Sequence, residues 1–360
     1  MDQLENLRAD PSTWGSVAFT ACHTDERGTF DSNAPARLRV LLALQYDRRE
    51  SDIELIRHLF TNEIIAAEND SFQGCDGAFT LAAFLLARFR EPSDAPLFAR
   101  AKLANFDTAC GFPLEFIFAA SGEQTEHMFK ASDPCLWDQL TLAFELTTTS
   151  DDLEEWWQTI SGHYPDCEED EHVLALYERA LSFDDSEQAL HYLEEWAAKE
   201  PDSEAKRSRL KYEYARLGDF KKSAEIAASI LGHAEKLWDK ASAQRDLVKL
   251  QRKAGEFTQS LKTARQLDAT LAVFDDWIGV GLGRIAIQEV FELSLSHPEL
   301  ADASEAFTLA DRWFQRSRDL ALVGMESGAK AAQRCGLVDK ANEYNQIADI
   351  ERQRINDMMS

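Results

Sequence analysis

Tyr214-Ala-Arg-Leu-Gly-Asp-Phe-Lys-Lys-Ser-Ala-Glu-Ile-Ala-Ala-Ser-Ile-Leu231 and Leu250-Gln-Arg-Lys-Ala-Gly-Glu-Phe-Thr-Gln-Ser-Leu-Lys-Thr-Ala-Arg-Gln-Leu267 carry the same punctuation. In each, a helical pattern stops at a glycine (Gly218, Gly255), an acidic residue and a phenylalanine follow (Asp219-Phe220, Glu256-Phe257), and a second helix opens with Ser223 or Ser260 in its first turn. Glycine ends a helix because it enters the left-handed cap conformation without steric penalty, and the phenylalanine behind it can fill the angle between two helices. The two glycines lie 37 residues apart, within the period range of stacked helical hairpins.

Composition extends that reading to the rest of the chain. Only 16 glycines and 9 prolines occur in 360 residues, and alternating β-branched runs are few, so the expected fold class is all-α, a solenoid of antiparallel helical hairpins. Residues 1–34, with Pro11, Gly15 and Gly28, read as an irregular or partly helical lead-in. Helical periodicity starts at Pro35. Leu38, Leu41, Leu42 and Leu44 form one apolar stripe, and Ile53, Ile56, Leu59, Phe60, Ile64 and Ile65 form the next, with Ser51-Asp52 as a cap between them. Ser150 or Asp151 is the expected cap for the helix carrying Trp156 and Trp157. The loop Ser161–Glu171 reads as the boundary between a helical domain at 35–165 and a repeat domain at 166–360.

Charge is uneven. The formal net charge is −26, which disfavours nucleic acid and anionic membranes as partners. Residues 131–178 contain no Lys or Arg against thirteen Asp and Glu. Residues 205–265 reverse the balance, with fifteen Lys and Arg against seven Asp and Glu, an excess of eight positive charges that leaves −34 for the remainder. Six widely separated cysteines with no Cys-x-x-Cys pair, a polar and interrupted opening (Met1–Arg8) and an apolar run at Ala78–Phe89 too short to span a bilayer point to a cytoplasmic protein with reduced thiols.

The segments Leu217–Ala224, Ala254–Leu261 and Cys335–Ala341 resemble the turn and second-helix opening of the tetratricopeptide repeat, with Ser223, Ser260 and Ala341 at the family's small position. The residue in the family's other small position, inside the first helix, is Lys211, Val248 or Ala329. The resemblance covers residues 170 to 356, at a spacing above the family's 34. Glu91-Pro-Ser-Asp-Ala-Pro-Leu-Phe98, a stop and restart between paired helices, resembles HEAT-type repeats. In the tetratricopeptide family the first helix of each repeat lines a concave groove. Carried over, those positions are Ser208, Tyr212 and Arg216; Arg245, Lys249, Arg252 and Lys253; and Glu326, Lys330 and Arg334. The implied groove is basic, and the function it implies is a protein-interaction scaffold or adaptor. It would hold an acidic or carboxylate-ended segment of another protein, Arg pairing bidentately and Lys acting as a point charge.

Other constellations carry less. The acidic belt allows an alternative in which the chain neutralises a basic effector or toxin, as an inhibitor or immunity-type protein would. His163, Cys167 and His172 flanked by Glu168–Glu171 match no zinc spacing. Gly279-Val-Gly-Leu-Gly283 lacks the strand and spacing of a phosphate loop and reads as a helix junction. No catalytic motif is readable, so the chain reads as no enzyme, with no cofactor and no metal. An enzyme whose site is assembled from distant helices is the remaining alternative, and homo-oligomerisation is compatible with the sequence.

Overall fold

The computed structural model describes residues 2–24, 28–70, 75, 77–146, 149–317 and 320–359, and these are helical almost throughout. They form two compact units, Met1–Asp185 and Ser186–Ser360. The first therefore extends past the interval 35–165 and includes the expected boundary loop. Among the described residues no helix is long and apolar enough to cross a membrane.

The first unit opens with α1 (Asp2–Ala9), a 3-10 turn at Pro11–Val17 and a two-stranded antiparallel hairpin, β1 (Ala21–Thr24) with β2 (Gly28–Asp31). The lead-in is partly helical, and the strand hairpin within it was not expected. Leu4, Leu7 and Val17 enter the unit's core, and the fully buried Arg37 ties the segment down by pairing with Asp31 at 2.7 Å and Glu63 at 2.5 Å. A buried guanidinium demands such partners. Then follow α2 (Ala34–Tyr46), α3 (Ile53–Asn69), α4 (Gly77–Ala87), α5 (Ala95–Lys102), α6 (Phe106–Gly111), α7 (Glu115–Ser121), α8 (Thr125–Ser132), α9 (Pro134–Ala143), α10 (Ser150–His163) and α11 (Val173–Ser182). Nearly every side chain of α4 is buried, as its all-round apolar sequence requires.

Asp52 stands at the N-cap of α3 as expected, whereas the expected cap of α10 is replaced. The Asp52 carboxylate makes no cap hydrogen bond to α3; it accepts from the Arg49 backbone at 2.8 Å and pairs with Arg8 at 2.7 Å. The cap of α10 is Thr149, whose hydroxyl accepts from the Asp152 backbone N–H while the Asp152 carboxylate accepts from that of Thr149, a reciprocal capping box. Residues 71–74, 76, 147 and 148, parts of two expected loops, lie outside the described residues. Trp156 and Trp157 both pack inward, against Phe116 (4.9 Å between centroids) and Phe84 (5.5 Å).

The second unit consists of α12 (Ser186–Lys199), α13 (Glu204–Arg216), α14 (Phe220–His233), α15 (Leu237–Lys253), α16 (Phe257–Leu271), α17 (Gly281–Ser296), α18 (Leu300–Ser317), α19 (Leu322–Arg334) and α20 (Val338–Met359). From α13 on, consecutive helices pair as α13/α14, α15/α16, α17/α18 and α19/α20, and first helices stack as α15 on α17 and α17 on α19. This is an α-solenoid of antiparallel hairpins.

Three of the four hairpins turn in the same way. Gly218, Gly255 and Gly336 have φ of +82°, +79° and +73°. The next N–H reaches back to the carbonyl five residues earlier: Asp219 to Tyr214 at 2.9 Å, Glu256 to Gln251 at 2.8 Å and Leu337 to Ala332 at 2.9 Å. Each is a Schellman cap. Behind the turn the Ser223 hydroxyl donates to the Lys211 carbonyl at 2.6 Å and that of Ser260 to Val248 at 2.8 Å. A small hydroxyl at this position lets the paired helices approach and satisfies a buried polar atom in the same contact.

The α17/α18 hairpin has no such glycine, and for that reason its place in the array is not apparent from the punctuation. Its turn is made at His297-Pro298, and the Arg334 guanidinium donates to the carbonyls of Leu295 and His297, satisfying the end of α17. At the other end of α17, Gly283 packs so closely on the backbone of Trp277 and Ile278 that an added Cβ would lie 2.8 Å from Ile278 Cα. The glycine-rich stretch is a tight helix junction.

Candidate protein-binding face

The outward positions of a first helix recur at intervals of three and four residues. On α13 they are Arg209, Tyr212 and Arg216; on α15, Lys249 and Lys253, with Arg245 and Arg252 half-buried beside them; on α19, Lys330, with Glu326 and Arg334 partly buried. Ser208 is half-buried on α13. Between α15 and α19 stands α17, and it brings two carboxylates into the surface that the sequence reading had made basic.

Those carboxylates, with Asp246, join the first helices one to the next. Lys211 of α13, itself 9% exposed, reaches Asp246 of α15, which Arg245 also pairs. Arg252 of α15 donates to Glu289 of α17 at 2.8 Å, with side chains only 13% and 8% exposed, and lies 4.0 Å from Glu292. Lys249 approaches Glu289 at 3.6 Å. On the far side, Ser327 of α19 donates to Glu292 at 2.6 Å. The linked residues are 35 or 37 positions apart, close to the spacing of the repeat, so the contacts follow from stacking like helices. Burial works against the Asp246 carboxylate, yet the bonds from Lys211 and Arg245 hold it below the usual carboxylate range.

The positions singled out in the sequence thus divide. Arg245, Arg252 and Arg334 are engaged inside the array. Tyr212 is 62% exposed. Arg216 is exposed and pairs with Glu213 at 3.6 Å. Lys253 is exposed and lies 4.9 Å over the Phe220 ring, and Lys330 is exposed on α19. The sequence reading missed Arg209, whose guanidinium sits 5.5 Å over Trp196 of α12. Arg209, Tyr212, Ser208 and Trp196 line one open cleft on this flank.

The remaining candidates disperse. The Cys167 thiol donates to Asp170 at 2.8 Å, and that bond raises the thiol above its ordinary value. His172 accepts the Leu174 N–H at 3.3 Å and Glu171 turns inward. Among the described residues no three such donors are placed to hold a metal ion. No family model matches the chain, and comparison with curated proteins and with solved structures likewise gives no match.

Proposed function

We propose that the chain is a cytoplasmic protein-interaction scaffold whose second unit, a tetratricopeptide-type array, holds an acidic or carboxylate-ended segment of another protein along α13 and the outward lysines of α15. The observation that carries this reading is Tyr212, an aromatic ring left 62% exposed with Arg209 and Arg216 one turn to either side. Tyrosine and arginine are the side chains over-represented among interface residues that dominate affinity. Stacking on Trp196 restrains Arg209 before any partner arrives, which lowers the entropy lost on binding.

Magnitudes separate the cations a partner can recruit from those it cannot. Arg209 and Arg216 lie 4.0 and 3.6 Å from Glu213, with side chains 44% and 51% exposed. Glu213 is only 14% exposed, so it stays in place, but pairs whose cation lies in water contribute about 0 to 1 kcal/mol and a partner carboxylate can share Arg209 and Arg216 with it at small cost. Breaking a buried pair costs about 3 to 5 kcal/mol, which keeps Arg252 on Glu289. Lys249 and Lys253 then extend the recruitable charge onto α15.

The test is fluorescence anisotropy of the full chain with a labelled glutamate-rich peptide carrying a free C-terminal carboxylate. Tyr212→Ala combined with Arg216→Glu is expected to weaken binding by about a hundredfold at unchanged melting temperature, two residues each contributing roughly 1 to 2 kcal/mol. Equal affinity of the variant and the parent overturns the reading.

A further inference from the structure

In the first unit, α2, α4 and α11 line a cleft of about 380 Å³. Leu38, Leu42, Ala78 and Leu81 form an apolar wall, and Glu171 and Arg179 form a polar end. The polar end is built from buried groups. The Glu171 side chain is 2% exposed, and its Oε1 accepts from Gln45 Nε2 at 2.9 Å, the Tyr46 hydroxyl at 2.7 Å and Arg179 Nη2 at 2.7 Å. Arg179 also donates to the Tyr46 oxygen at 2.5 Å. Burial first, and then the bond to Glu171, raise the Tyr46 phenol, so it remains a protonated donor.

All three donors converge on one oxygen. Among the described residues no hydrogen bond reaches Glu171 Oε2, yet that atom is not sealed away from solvent. A carboxylate this buried is positioned by its neighbours and still has acceptor capacity directed at the cleft. The open acceptor selects the complement. Arg179 and Glu171 balance each other at the polar end, and Glu178 and His163 complete the polar lining. An anionic head finds no donor at Oε2, whereas an ammonium is accepted there with a charge-assisted hydrogen bond.

We propose that this cleft is a binding site for a small aliphatic primary amine, its ammonium donating to Glu171 Oε2 and its chain lying on the leucine wall. Pockets of this size and mixed lining are the usual form of small-molecule sites. The fixed triad of Gln45, Tyr46 and Arg179 keeps the accepting carboxylate from turning away, so the site is formed before the ligand arrives.

The test is titration calorimetry of the full chain with n-hexylamine, at a pH where it is charged, against hexanoate and 1-hexanol. One saturable site for hexylammonium and none for hexanoate is expected. Glu171→Gln should weaken it about tenfold or more, the range of a charge-assisted hydrogen bond. Ala175→Phe fills the cleft and leaves the Glu171 triad in place; it should abolish the heat while the melting curve stays cooperative, which keeps the proposal testable even where Glu171→Gln fails to fold. Hexylammonium binding that survives Ala175→Phe, binding of hexanoate as tight as that of hexylammonium, or no saturable heat at all overturns the proposal.

Discussion

Asp246 shows how a single side chain decides what a charged surface is for. Without it, Lys211 would be a buried cation with no counter-charge, and the position that the repeat resemblance reserves for a small residue would have no reason to be lysine. Asp246→Asn is therefore expected to lower stability at pH 7 by about 2 to 4 kcal/mol, measured by urea denaturation, as one partner of a largely buried pair is neutralised. The sign with pH follows from the depressed carboxylate. Its contribution is complete above the unfolded value near 4 and is lost as pH falls through the lower folded value. The gap between parent and variant should be full at pH 6 and narrow below pH 4; a gap unchanged down to pH 3 would remove Asp246 as its source.

At the level of elements, turns and stacking differ in how far they can be read. Gly218, Gly255 and Gly336 are legible because a left-handed cap is local: the residue needing positive φ is the residue seen. The same cap closes α11, where Asp184 takes φ of +57° and the Asp185 N–H returns to the Ala180 carbonyl at 2.9 Å. An aspartate in a turn carries no such signal in the sequence. Gly255→Ala should cost about 1 to 2 kcal/mol, the penalty for a Cβ in that conformation, and Asp184→Gly should raise stability by a few tenths of a kcal/mol to about 1 kcal/mol. Matched denaturation curves check both, and a neutral Gly255→Ala would contradict the cap. The α17/α18 hairpin was not legible as a repeat, because its turn uses His297-Pro298 and borrows Arg334 from a helix 37 residues on. With it went Glu289 and Glu292, and hence the fate of Arg252. A groove read one helix at a time counts cations and cannot see the neighbouring helix that neutralises them.

On the scale of the whole chain, the excess of eight positive charges over residues 205–265 inside a molecule of net −26 serves two ends. Part of it, Lys211, Arg245 and Arg252, holds like helices in register. Another part, Arg209, Arg216, Lys249 and Lys253, faces outward with Tyr212 on α13 and α15. The all-α class was legible from composition and helical period, while the pairing of β1 with β2 was not, because Asp31 at the end of β2 meets its partner Arg37 only in the fold, where Arg37 also pairs with Glu63. The most direct measurement is hydrogen exchange on the full chain with and without the glutamate-rich peptide. Slowed exchange concentrated in 204–216 and extending into 245–253 is the predicted result. Protection confined to residues 2–185, with α13 unchanged, would contradict it.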